Sequence, residues 1–233
     1  MNKQSSATLY IVYACTWLLY AATWAQGQEP ALAPIEKVPP PAPPYLQAAP
    51  ATAAWVITYP TDTTSTGSKA KLIKEVDVAK AGDVQRITIV LNDGTTQNDT
   101  WFCKGIRLYK QPGASDAIGS TPFGTLKPTP GQMDFVDVAW IGPAHFVGKT
   151  KLGKTPCYYY VMDTELGKLE AWIDVATGLP AAYRADDKLG MRTYRFTSAT
   201  ESTLTLPPEF QDAYDRYAKQ SQALINYVSH IPR

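Results

Sequence analysis

From Trp55 onward, short runs of β-branched and aromatic residues alternate with polar ones and are punctuated by turn residues, the pattern of an antiparallel sheet. Lys71 to Lys80 and Val84 to Leu91 flank Ala81-Gly82-Asp83, which predicts a hairpin. Asn92-Asp93-Gly94 supplies residues that tolerate positive φ and turns the chain into a run from Thr100 to Tyr109. The Gly/Pro-rich stretch from Gln111 to Gly131 reads as a loop, and Phe135 to Ile141 fits a short helix or a strand. The pattern resumes over residues 145–152, 157–163, 168–175, 180–186, 191–197 and 202–206, with Gly153, Gly167, Gly178 and Gly190 in the turns.

Several of these runs are apolar on both faces. Cys157, Tyr159 and Val161 alternate with Tyr158, Tyr160 and Met162, and Leu169, Ala171 and Ile173 oppose Trp172. Either both faces of the sheet are covered or one is the wall of a cavity. After Pro207-Pro208 the period changes: Phe210, Tyr214, Tyr217, Leu224 and Val228 recur at helical spacing, which predicts an amphipathic helix over 208–228 lying on the sheet. The expected fold is mainly β (α+β), an antiparallel half-open barrel or strongly curved sheet with this C-terminal helix.

The first 25 residues follow different rules. Lys3 is the one side-chain charge among Met1 to Gln4, and an uncharged apolar run from Ala7 ends at small residues, Thr23 and Ala25. That is the shape of an export signal over 1–25, with Gln26 starting the mature chain. The run is also long enough to be an uncleaved anchor. Residues 26–53 are rich in proline and alanine, with Pro39-Pro40-Pro41 and Pro43-Pro44 at the centre, and predict an extended spacer. Residues 54–233 then form a single β-rich domain, about 180 residues and enough for one core.

The balance of 22 basic and 21 acidic residues, scattered along the chain, provides no field that would draw nucleic acid. Of three cysteines Cys15 lies in the signal, leaving Cys103 and Cys157 as a disulfide pair in an oxidising compartment or as two separate buried thiols.

Familiar catalytic apparatus is missing. Gly148-Lys-Thr-Lys-Leu-Gly153-Lys154-Thr155 matches a phosphate-binding loop letter for letter, but such a loop must lead into a helix. Here Pro156 leads into Cys157-Tyr158-Tyr159-Tyr160-Val161, a strand, so the match reads as a hairpin turn. Ser68-Lys69-Ala70-Lys71 has the serine and lysine spacing of penicillin-binding enzymes without their partner motifs. Only His145 and His230 are available as imidazoles, too few for a local triad or zinc motif. Asp163, Glu165, Asp174, Asp186 and Asp187 sit at predicted strand ends, and a paired-carboxylate glycosidase requires two of them, or others, to converge in space.

Ala171-Trp172-Ile173-Asp174-Val175-Ala176-Thr177-Gly178-Leu179-Pro180, following Cys157-Tyr158-Tyr159-Tyr160-Val161, resembles the central strands of LolA-like envelope proteins, the periplasmic lipoprotein carriers and their outer-membrane sorting relatives. Tyr194-Arg195-Phe196 and Leu204-Thr205-Leu206-Pro207 are similar to that family's closing strands. The likeness covers the last 60 or so residues of strand pattern. It implies a half-open barrel around an apolar hollow, in the periplasm or at the outer-membrane periphery, and it differs at the proline-rich spacer and the long C-terminal helix.

These readings converge on an exported, non-enzymatic envelope protein that binds a lipid or other apolar ligand, or a lipidated protein, in its hollow. The alternative is a structural or interaction module with a packed core, meeting another envelope protein. No cofactor or metal is expected. The expected ligand-binding residues are Tyr158, Tyr160, Met162 and Trp172, lining one face, with the opposite set beneath the C-terminal helix.

Overall fold

The computed structural model describes residues 32–60, 73–111, 114–120, 134–186, 189–197 and 202–229. The signal segment, Ser68 to Lys71, Asp187 and His230 lie outside these residues, as do the side chains of Leu224 and Val228.

The chain is mainly β. Its strands are β1 (Thr52–Thr58), β2 (Ile73–Ala81), β3 (Val84–Leu91), β4 (Thr96–Cys103), β5 (Ile106–Lys110), β6 (Ala117–Ser120), β7 (Phe146–Leu152), β8 (Thr155–Thr164), β9 (Gly167–Asp174), β10 (Pro180–Ala185) and β11 (Met191–Thr197), followed by one helix, α1 (Pro208–Ser229). All eleven strands join one antiparallel sheet in the order β6-β5-β4-β3-β2-β1-β11-β10-β9-β8-β7. Two meanders are thus stitched together where β1 pairs with β11, Trp55 opposite Phe196 and Ile57 opposite Tyr194. The sheet is open, with β6 and β7 at its edges.

Glycines at the predicted turns adopt the left-handed conformation the hairpins need, as at Gly82 (φ 60°) and Gly153 (φ 60°). The run expected from Thr100 to Tyr109 is broken by a turn at Lys104-Gly105, where φ is 47° and 84°, so it forms the ends of two strands. The loop expected over Gln111 to Gly131 contains β6, and Ser202 to Leu206 makes no strand. Phe135 to Ile141 is neither strand nor α-helix but holds a single 3-10 turn, Val136–Val138.

That segment fills the middle of the molecule. Phe135 is 1% exposed and meets the rings of Trp55 at 5.2 Å, Phe196 at 5.9 Å and Tyr194 at 6.2 Å. Val138 is fully buried beside it, in a core shared with Val78, Tyr160 and Ile173. One face of the sheet, from β2 round to β8, packs on this plug.

The plug is pinned at its start. The Asp134 carboxylate accepts from Lys80 Nζ at 2.7 Å, Gln85 Nε2 at 2.6 Å and the amide of Ala49 at 2.8 Å. Both charged side chains are nearly buried, 11% exposed for Lys80 and 6% for Asp134. A buried carboxylate is tolerable only with such a full set of donors.

Residues 32–50, expected as a spacer, are extended as predicted but lie against the sheet. Glu36 and Lys149 exchange backbone hydrogen bonds of 2.7 and 2.9 Å, Ala33 donates to Lys151, and the buried Thr150 hydroxyl donates to Ala33. Further on, Gln47 donates to Gly178 and Ala49 joins the core. The arm therefore covers the β7 edge, where an unprotected strand would present unpaired amides. Gly148 is required there, because a Cβ would run into the Glu36 carbonyl.

At the other edge, α1 covers β6 and β5. Phe210 (3% exposed) and Ala213 (2%) pack with Trp101, Leu108 and Ala117, and Tyr217 sits directly over Gly119. The helix thus lies on β5 and β6, not over β8 and β9 as expected, because it caps the edge left by the short β6.

Cys103 and Cys157 are both buried and unbonded. They stand on the third and tenth strands of the sheet order, in different apolar clusters, which is why no bond joins them. Of the two expectations, separate buried thiols is the one observed.

Candidate functional site

The register of β8 against β9 decides which predicted residues meet. Tyr158 lies opposite Ile173, Tyr160 opposite Ala171 and Met162 opposite Leu169, so these side chains share the plug face of the sheet. Tyr159 lies opposite Trp172, and the two rings stack at 5.2 Å on the other face. Trp172 is accordingly separated from the set to which the expectation assigned it, since without the register the phase of one strand relative to the next is undetermined. Met162 shares the face but sits one step beyond Tyr160, toward the exposed Asp163-Thr164 end.

Tyr158 lines a cleft of about 520 Å³ between the proline-rich arm and the sheet, and Tyr160 does not reach it. The arm provides Pro41, Pro44 and Tyr45; the sheet and the β9–β10 turn provide Tyr158, Ile173 and Leu179. The turn is set by Asp174, whose carboxylate accepts from the amides of Ala176 and Thr177, and by Gly178, which has φ 68° and packs against Gln47. Tyr45 and Tyr158 are half-buried, so their rings remain accessible.

Tyr160 stands behind this wall. It is fully buried, its ring lies 5.4 Å from Phe146, and its hydroxyl has no hydrogen-bond partner among the described residues. Burial, and then the neighbouring phenols of Tyr158 and Tyr45, push its pKa well above the usual tyrosine value. An unpaired buried hydroxyl costs about 1–3 kcal/mol and calls for a partner.

Among the described residues no charged side chain lines the cleft. Lys149 is the cation paired with Tyr158 across the β7–β8 register, and Glu36 sits opposite it on the arm. The walls present ring faces, prolines, the Gln47 amide and the Thr177 hydroxyl, and no acid, imidazole or thiol.

Of the carboxylates expected as a catalytic option, Asp187 lies outside the described residues and Asp174 holds the β9–β10 turn. Asp163, Glu165 and Asp186 are exposed at strand ends. The buried carboxylates are others. Asp134 is paired with Lys80 on the plug face. Glu170 lies on the opposite face, accepting from the Tyr159 hydroxyl, Lys168 at 3.3 Å and Arg184 at 3.4 Å. Burial pushes the Glu170 pKa up, but the Tyr159 hydrogen bond and the two cations outweigh it and hold it below the ordinary value. His145 rests edge-on against Trp140 at 5.7 Å. The segment resembling a phosphate loop is the β7–β8 hairpin. Among the described residues no group of His, Cys, Asp and Glu is placed to hold a metal, and no helix is long and apolar enough to cross a membrane.

Tyr45, Gln47 and Asp134 escaped the sequence reading because they lie in or next to segments whose composition resembles linker. The one available signal was Tyr45-Leu46, an apolar pair inside a proline-rich stretch.

No protein-family model and no curated protein matches the chain.

Proposed function

We propose that this chain is an exported, non-enzymatic envelope protein, built as a half-open antiparallel barrel, that binds a small ligand in the cleft beside Tyr158 rather than in an enclosed hollow. The observation that carries the reading is the meeting of Tyr45 and Tyr158, with Ile173 and Leu179, at a cleft of about 520 Å³, within the usual size of a small-molecule site. The export signal in the sequence supports the compartment, and the arm docked along β7 supports a built cleft rather than a gap between loosely held segments. A lipid or another apolar group meets the prolines, Ile173 and Leu179 there; the interior where such a ligand was expected holds Phe135 and Val138 instead.

That filled interior favours a second reading, an interaction module with a packed core and no small ligand. The two are separated by mass spectrometry of what co-purifies with protein expressed with its own export signal. The binding reading expects one small molecule in near-stoichiometric amount. A bare chain, together with no uptake of a fluorescent fatty acid, would sink it and leave the module.

A further inference from the structure

The proline-rich arm is held at two places. At its start Ala33 donates to the Lys151 carbonyl and Glu36 exchanges backbone hydrogen bonds with Lys149; at its end Gln47 donates to Gly178 and Ala49 enters the core. Between the two, from Lys37 to Pro44, the chain makes no backbone hydrogen bond among the described residues. The first hold is a strand addition: it uses the backbone edge of β7, which any extended segment can meet, and the seat over Gly148 that admits Ile35 and the Glu36 carbonyl. It buries little apolar side chain, since Leu32 stays 44% and Ile35 47% exposed. Everything that fixes residues 32–36 therefore belongs to β7, and every copy of the chain carries the same edge and the same seat.

The stretch that links the two holds is folded short. Lys149 faces Tyr158 and Tyr158 faces Ile173, beside the β9–β10 turn, so the holds lie about three strand spacings apart, or about 15 Å. The chain from Glu36 to Gln47 has about eleven residue steps and reaches about 34 Å when extended as polyproline. Bends at Pro43, Tyr45 and Leu46 take up the difference. Proline-rich chain is semi-rigid over several residues, so holding it at about half its reach works against docking on its own β7. Straightened, it carries residues 32–36 clear of its own sheet.

From the strand addition, the seat fitted to the arm's own backbone and the bent proline-rich link, we infer that the arm is exchanged between two copies of this chain. Residues 32–36 of each copy add to β7 of the other, while Gln47 and Ala49 stay on their own sheet, and the two reciprocal arms close a symmetric dimer. The partner is a second copy because the seat at Gly148 and the segment that fills it are carried by the same chain. The inference is independent of any ligand in the cleft.

The test is a cross-link between two differently tagged chains, each expressed with residues 1–25 in place. Leu32 pairs with Leu152, which sets Ala33 opposite Lys151 at a separation a disulfide spans. One chain carries Ala33→Cys and the other Lys151→Cys; they are incubated together across a concentration series and then oxidised. The control pairs Ala33→Cys with Asp163→Cys, an exposed position away from the β7 edge. The expected result is a covalent heterodimer, mapped by peptide mass spectrometry to the two introduced cysteines and absent from the control pair. Light scattering of the unsubstituted chain should give twice the chain mass at the upper concentrations. A heterodimer formed equally with Asp163→Cys would overturn the inference, as random thiol encounter. So would a chain that stays monomeric throughout, with Ala33→Cys and Lys151→Cys bonding only when both are placed in one chain.

Discussion

Replacing Asp134 by alanine tests how the interior is held shut. In the intact protein its carboxylate takes a 2.7 Å ion pair from Lys80 and hydrogen bonds of 2.6 and 2.8 Å from Gln85 and the Ala49 amide. The Lys80 side chain is 11% exposed, so removing the acid leaves an ammonium and an amide N–H facing little but protein and each other. Breaking a buried pair in this way costs about 3–5 kcal/mol, which for a domain of this size lowers the melting temperature by about 6–20 °C. The double replacement Lys80→Met with Asp134→Leu removes both charges and should recover a large part of that loss, since a buried pair is close to break-even against apolar residues. Circular dichroism melts and urea titrations of the three proteins measure both effects. A single variant within about 1 kcal/mol of wild type would refute the reasoning, because it would mean that the Asp134 network pins neither the plug nor the arm.

Other expectations follow from the same geometry. Phe135→Ala should destabilise by about 3–5 kcal/mol, as for a large aromatic removed from a close-packed site, read by urea titration; a loss below about 1 kcal/mol would mean that the plug is not packed. Thiol titration of the denatured, unreduced chain from Gln26 onward should count two free thiols, Cys103 and Cys157, and the native protein should react slowly; a count of zero would restore the disulfide. Ending the chain at Leu206 strips α1 from the β6 edge and should lower the melting temperature sharply, whereas an unchanged melt would show that Phe210 and Ala213 contribute nothing. Burial pushes the Cys157 thiol up from 9.0 to about 11 and raises the Tyr159, Tyr160 and Tyr194 phenols as well. Groups whose folded pKa exceeds the unfolded value favour folding below the unfolded pKa and lose that contribution as pH rises, so stability should fall from about pH 9 upward. Equal urea midpoints at pH 8 and pH 10.5 would contradict this.

Much of the architecture was legible because β hairpins announce themselves locally. Alternation and turn glycines located β2, β3 and β7 to β11 to within a few residues, and proline followed by helical spacing located α1. What failed was the information carried between strands. Trp172 and Tyr160 are separated by a register that no local pattern specifies, and the Cys103–Cys157 pairing was foreclosed by a strand order that sets them on opposite arms. Lys104 in the left-handed region hid a hairpin, since a lysine there carries no turn signal. The proline-rich arm read as a spacer because its composition cannot form a core alone; against β7 it needs only a few backbone hydrogen bonds and the seat that Gly148 leaves open. Aromatic alternation singles out Tyr158 and Tyr160, but of these two only Tyr158 lines the cleft, and Tyr45 joins it there through the docking of the arm.

The proposal is that this protein binds in the cleft and not in its interior, and native mass spectrometry of chains expressed with residues 1–25 in place tests it most directly. Three proteins are compared: wild type, Ala176→Trp, which fills the cleft from an exposed position on its wall, and Phe135→Ala, which opens space inside. The account predicts one bound small molecule per wild-type chain, its loss in Ala176→Trp and its retention in Phe135→Ala. A bound molecule that survives the filled cleft, or that is found only when Phe135 is removed, would contradict it.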